Sequence, residues 1–383
     1  MVPEKELAQF RRQLLRWFRQ FQRDLPWRRS KDPYRIWLSE IMLQQTRVAA
    51  AIPYYERFLL QFPDVRTLAE APPDDVLRLW SGLGYYSRAR NLQQAAQQIT
   101  AKHGGFFPSV YDDVLALPGI GAYTVAAILS IAFDAKHAVL DGNVARVIAR
   151  IGAIRGDLRK GERWQSLQKF ADRLLDEKTP GDWNQAMMEL GATVCTPKSP
   201  QCLLCPVAKS CESRKLGIQE EIPEKRKKRA AVEIELAAAV FLDAKGRTLL
   251  LPPPEKSTTK PMADEIATLV SRMWHFPTIS VKTNAKAELS YFLSKLFQTK
   301  TGITFQLEPL RTAKHCVTYR DITVFPFCIL MKKMPKISNR STELKTVTLS
   351  EVSSLTVSNL TRKVARIAIE SHVPDAKKAN FEY

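Results

Sequence analysis

Apolar residues recur at three- and four-residue intervals through the first two hundred or so positions of the chain, the period of helices that bury one face. The pattern predicts helices over 7–21, 34–45, 49–62, 68–80 and 88–101, and a strongly apolar one over 125–133, with Pro and Gly punctuating between them. Strand signals are nearly absent there. After the basic run Ile222-Pro223-Glu224-Lys225-Arg226-Lys227-Lys228-Arg229, which reads as a solvated linker, the texture changes. Residues 232–241 and 247–251 read as strands around Asp243–Gly246, and 322–330 as a third β-rich run. Helical patterns over 287–299 and 359–371 intervene, so this second region is expected to be α+β. Residues 252–261 read as a loop.

Composition narrows the class. Of 383 residues 45% are hydrophobic and 25% charged, values that suit a globular chain and exclude general disorder. Lys and Arg total 58 against 39 Asp and Glu, a net charge of +19, which argues for a polyanionic partner, nucleic acid ahead of a membrane surface. No apolar run is long enough to span a bilayer, and the charged start of the chain carries no signal-peptide core. Four of the six cysteines, Cys195, Cys202, Cys205 and Cys211, fall within seventeen residues. In a chain without an export signal that cluster reads as a metal site in a reducing compartment. On spacing alone an iron–sulfur cluster and a structural zinc are equally served, since both use four thiolates.

Three further signals carry candidate chemistry. Leu117-Pro118-Gly119-Ile120-Gly121-Ala122-Tyr123-Thr124 precedes the apolar helix. Its two glycines, Gly119 and Gly121, allow a tight turn whose N–H groups, with the next helix's N-terminus, suit a DNA phosphate; a plain corner between helices is the alternative. Two acids stand in apolar settings. Glu40, in Trp37–Thr46, is placed in the first turn or so of its helix, where apolar neighbours raise a carboxyl pKa and keep a proton available. Asp141, in Val139-Leu140-Asp141-Gly142-Asn143-Val144-Ala145-Arg146, is placed as an N-cap that stays ionised. An acid with a carboxylate is a constellation for breaking a glycosidic bond, although either residue taken singly also fits an ordinary helix start. Last, Trp80–Asn91 sets Tyr85 and Tyr86 beside Arg88 and Arg90. An exposed ring there could enter a base stack while the cations hold phosphates; two core tyrosines under a solvated basic helix fit equally.

Taken in order, Leu-Pro-Gly-Ile-Gly, Val-Leu-Asp-Gly-Asn-Val and the four-cysteine loop resemble the helix–hairpin–helix DNA glycosylases, and within them the A/G-specific adenine DNA glycosylases of the MutY family. The resemblance is dense over the first 215 residues and looser beyond. It implies a multidomain chain: an all-α glycosylase domain over 1–215, with the hairpin at 111–133 and an iron–sulfur lobe whose loop spans 195–211. A linker over 216–231, an α+β MutT/Nudix-like domain over 232–372 and a tail over 373–383 would follow. It also implies a 4Fe–4S cluster on the four cysteines, and double-stranded DNA with adenine opposite 8-oxoguanine or guanine as substrate.

By position, Glu40 would protonate the adenine and Asp141 face the sugar cation, with Tyr123 and Asn143 arranging the site. Trp27, Arg28 and Gln185 would line the adenine pocket; Gln45, Thr46 and Tyr85 would stand at the opposing base. Tyr123 occupies the position at which endonuclease III carries a strand-cutting lysine, so a monofunctional enzyme is expected. Met273-Trp274-His275-Phe276-Pro277 resembles the family's Leu-Trp-x-Phe-Pro segment, and no catalytic Nudix box is present. Thr318 and Tyr319 fall where relatives touch 8-oxoguanine. The rivals are a thymine-mismatch or endonuclease III-like glycosylase and, in another class, a non-catalytic iron–sulfur DNA-binding protein, against which the pair of acids speaks. A monomer in a bacterial cytoplasm is expected, without membrane association.

Overall fold

The structure is a computed structural model and describes residues 2–224, 230–252, 273–297, 305–317, 319–335, 344–355 and 357–372. The loop read over 252–261 falls almost wholly outside these residues, as do the core of the basic linker, Thr318 and the tail. The chain divides into two units, one of residues 1–79 and 85–227, the other of 80–84 and 228–383.

The first unit is helical throughout its described residues: α1 (Glu4–Phe21), α2 (Pro33–Leu43), α3 (Val48–Gln61), α4 (Val65–Glu70), α5 (Pro73–Trp80), α6 (Ser87–His103), α7 (Tyr111–Leu115), α8 (Ala122–Phe133), α9 (Gly142–Ile151), α10 (Gly161–Leu174), α11 (Pro180–Thr193) and α12 (Glu212–Lys215). The single helix expected over 68–80 is two, α4 and α5. Pro72 and Pro73 remove two donors and bias the preceding residue toward extended backbone, so Ala71 lies at φ −62°, ψ 144°. Starts are written in the sequence: Asp32 accepts from the Tyr34 N–H with Pro33 in the first turn, and Asp64 accepts from the Thr67 N–H. One core gathers α1, α9, α10 and α11 around Phe10, Leu14, Ile148, Leu167 and Trp183, with Ala126 and Ala127 of α8. Among the described residues no helix is long and apolar enough to cross a membrane.

The second unit pairs β1 (Val232–Asp243) with β6 (Arg320–Met331) in parallel, in register from Val232 opposite Arg320 to Asp243 opposite Met331. Antiparallel β3 (Thr278–Ser280) flanks β1; β4 (Glu308–Pro309) and β5 (Ala313–Val317) flank β6. A separate ribbon joins β2 (Arg247–Leu250) to β7 (Lys345–Thr348). Alternation along β1 sorts its side chains onto two cores. Ile234, Leu236, Ala238 and Val240 pack with α14 (Asn359–His372); Ala237, Ala239 and Phe241 pack with α13 (Ala285–Leu296). Cover on both faces explains why β1 is continuously apolar from Leu236 to Leu242, past the exposed Glu233 and Glu235.

Candidate active site

Glu40 is the eighth of eleven residues in α2, near its C-terminal end rather than in the first turn, since Asp32 and Pro33 start the helix two turns ahead of it. The side chain is buried. The Tyr123 hydroxyl, from α8, donates to Glu40 Oε2 at 2.8 Å and lies 3.1 Å from Met188 Sδ. Burial pushes the Glu40 carboxyl up to about 7, against the Tyr123 hydrogen bond, and the nearby Asp141 charge adds to the rise while Arg28 opposes it.

Asp141 caps α9 as expected: Oδ1 accepts the Val144 N–H at 2.7 Å and Oδ2 accepts from Asn143 Nδ2 at 3.1 Å. Its pKa nonetheless lies above the ordinary aspartate value, since burial outweighs the backbone and Asn143 hydrogen bonds that favour the anion. Asn143 Oδ1 in turn accepts from Arg146. Helix α11 crosses at this point on Gly191, where an added Cβ would stand 2.9 Å from the Asn143 Cβ and 3.2 Å from its carbonyl oxygen. Gly191→Ala should therefore move Asn143, cost roughly 1–3 kcal/mol in a thermal melt, and slow single-turnover base release by more than the lost folded fraction explains.

These groups share one cavity of about 520 Å³ between α2, α8, α9 and α11. Of the sequence-derived site residues, Glu40, Asp141, Tyr123, Asn143, Trp27, Arg28, Gln185, Gln45 and Thr46 all line it. Trp27 is held edge-on against Tyr55, with ring centroids 5.4 Å apart. Tyr85 is exposed and does not line this cavity. Gln45 (φ 59°) and Tyr85 (φ 49°) both adopt left-handed backbone, a conformation that costs a side-chain-bearing residue on the order of 1 kcal/mol. Tyr86 is buried while Tyr85 is exposed, and Arg88 is turned inward onto the backbone of α2, so neither of the two readings of this segment holds whole: the phosphate role does not fit Arg88, and Tyr85 is not a core residue.

Glu189 is the wall residue that the sequence reading missed. Its side chain, 1% exposed, takes Arg23 in a two-pronged bond at 2.6 and 2.8 Å and Arg28 at 2.8 Å. Breaking such a buried cluster from one side leaves an uncompensated charge. The available signal was spacing: Glu189 follows Gln185 by one helical turn and so shares its face of α11.

The hairpin places Gly119 at φ 79°, with the Asn91 Cβ only 2.8 Å from where its own would be, so glycine is required there twice over. Gly121 is the N-cap of α8, supplies no side-chain cap, and has open space beside it. Cys195, Cys202, Cys205 and Cys211 are free thiols around one small cavity that Arg150, Val194 and Pro200 complete. Arg150 Nη1 lies 3.3 Å from Cys195 Sγ. Burial, with the other cysteines nearby, pushes Cys205 up to about 12. Among the described residues no three His, Cys, Asp or Glu side chains are grouped as a single bound ion needs. In the second unit Tyr319 is half-buried on the turn joining β5 to β6, with the Arg320 guanidinium 5.5 Å from its ring.

Residues 38–173 match the HhH-GPD superfamily of base excision DNA repair proteins. The adenine DNA glycosylase of Homo sapiens is 32% identical over 408 residues, an overlap of 94% of this chain and 74% of that one. That of Buchnera aphidicola from Acyrthosiphon pisum is 42% identical over 203 residues, 53% of this chain and 58% of its own. A thermostable thymine-DNA glycosylase of known structure superposes with a TM-score of 0.51 and 28% identity over 55% of this chain and 98% of its own. An overlap that takes in nearly the whole chain and three quarters of the human protein extends well past the shared helical domain, and on it the chain belongs to the adenine DNA glycosylase family of base-excision repair enzymes.

Proposed function

We propose that this chain excises adenine mispaired with 8-oxoguanine or guanine, as a monofunctional glycosylase that leaves an abasic site. The observation that carries the reading is the pairing, in one cavity, of a buried carboxyl whose burial favours its protonated form with a second carboxyl fixed at a helix start. A base inside a duplex cannot reach such a cavity, so the adenine is swung out and seated among Trp27, Arg28 and Gln185. Glu40 donates its proton to adenine N7. The bond from C1′ to N9 then breaks with its electron pair leaving on the base, and the sugar is left as an oxocarbenium ion. Asp141 faces that cation, stabilising it or capturing it until water adds at C1′ and gives its proton to the Glu40 carboxylate, which restores the acid. Tyr123 holds the Glu40 oxygen and has no amine with which to form a Schiff base.

The opposing base would meet Gln45, Thr46 and Tyr85, with Gln45 and Tyr85 entering the base stack beside it. Backbone phosphates would meet the uncapped start of α8 and the hairpin at Gly119 and Gly121. The second unit, with a mixed sheet covered by a helix on each face, suits a MutT-like lesion reader, in which Tyr319, between β5 and β6, would meet the lesion. The deciding assay uses duplexes carrying adenine opposite 8-oxoguanine, opposite guanine and opposite thymine, together with a thymine–guanine mismatch. Base loss from the first two, with strands cut only in the alkali lanes and no adduct trapped by borohydride, is expected. Release of thymine instead would overturn the reading.

The four cysteines line one cavity, and four cysteine donors spread around it would suit a 4Fe–4S cluster better than a single ion, for which no three of them are grouped. Such a cluster supplies a structural clip for the 195–211 loop, which offers Lys198 and Lys209 to phosphates. Cys202→Ser should lose the cluster's visible absorbance and weaken mismatch binding by roughly tenfold or more, with a shallower salt dependence. Full absorbance with unchanged affinity would remove Cys202 from the ligand set.

A further inference from the structure

The guanidinium of Arg88 sits where three parts of the first unit meet. Nη1 donates to the carbonyls of Ile41, Met42 and Gln44 at 2.9, 2.8 and 2.5 Å, at the C-terminal end and C-cap of the helix that carries Glu40. Nη2 donates to Thr46 Oγ1 at 3.3 Å, one residue past the left-handed Gln45. The same guanidinium lies 5.6 Å from the ring centroid of Tyr85, the other left-handed residue. Both Gln45 and Tyr85 are exposed, yet both backbones are held in a conformation that side-chain-bearing residues avoid. Strain of that kind persists only where surrounding structure over-determines it. Arg88, at 8% exposure, touches both segments.

We infer that Arg88 is a positioning residue that locks Gln45 and Tyr85 into one two-pronged wedge and ties that wedge to the helix bearing the general acid. Planarity is what the task requires. A fork of fixed geometry can close a helix end, fix the next turn and present a flat face to an aromatic ring together. An ammonium carries the same charge but has neither the fork nor the face. The inference rests on the proposed entry of Gln45 and Tyr85 into the base stack.

The test compares the full-length wild-type protein, Arg88→Lys, Arg88→Met and Tyr85→Ala on two substrates. One is an intact duplex with adenine opposite 8-oxoguanine. The other carries adenine opposite a one-nucleotide gap, where no stacked partner has to be displaced. Thermal melts and the folded fraction are recorded for each variant. Arg88→Lys is expected to lose roughly 30-fold in single-turnover rate on the intact duplex and less than about threefold on the gapped one. A merely structural defect would lower both rates alike, and equal losses for Arg88→Lys would overturn the inference. Should Arg88→Met fail to fold, the lysine variant still decides. If Tyr85→Ala shows the intact-to-gapped difference and Arg88→Lys does not, Arg88 is not the lock. If neither shows it, the wedge reading itself has failed.

Discussion

Glu40→Gln should bind mismatched duplex nearly as well as the wild type while releasing base roughly 10²–10⁴-fold more slowly, the range that a positioned general acid supplies. Glutamine keeps the shape and can still accept the Tyr123 hydrogen bond, so the lost function is the proton alone. The wild-type rate should also fall as pH rises through about 7, where Glu40 gives up that proton. The same shift makes a stability prediction of fixed sign. Glu40 has a folded-state pKa above its ordinary 4.5, so it does not penalise folding below about pH 4.5. Its ionisation costs stability progressively as pH rises toward 7 and beyond, approaching roughly 3 kcal/mol. Glu40→Gln should therefore melt higher than the wild type at pH 8 and almost equally at pH 4. Equal melting at both values would mean that the acid is not buried as described, and retained excision would remove it from the chemistry.

Asp141→Asn is the second large effect, and it separates charge from capping. Asparagine is as good an N-cap as aspartate, so the Val144 hydrogen bond and the start of α9 should survive, with a melting temperature close to the wild type's. The anion facing the sugar cation is gone. Base release should fall by roughly 10²–10³-fold, the cost of removing one preorganised stabilising group. Asp141→Ala should add a cap loss of about 1 kcal/mol to the same catalytic defect. A melt that drops equally for the two variants would show that α9 depends on the charge, and an unchanged rate for Asp141→Asn would put the residue outside the reaction.

What the sequence disclosed depended on how locally each feature is encoded. Asp141 was readable as a cap because capping is settled within three residues, and the hairpin because its glycines sit together. Glu40 was legible as an acid in apolar company but misplaced along its helix, since an apolar run marks burial and not the point where a cap begins. Pro72 and Pro73 carried a break that a purely periodic reading overran. Glu189, and the inward role of Arg88, were opaque for a different reason. Their partners lie 42–47 and 161–166 residues away, and a basic or acidic side chain looks solvated until tertiary structure folds over it. The parallel partnership of β1 and β6 was equally hidden, because nothing local distinguishes a strand that pairs with its neighbour from one that waits.

That wait has a consequence for synthesis. About 88 residues separate Val232 from its opposite number Arg320. At the usual pace of translation β1 leaves the ribosome roughly 4–18 s before its mate has been made, an oily ribbon with one edge open. Chaperone demand should thus concentrate on the carboxy-terminal half, and a premature stop anywhere ahead of β6 would leave that half without its hub instead of merely shortening it.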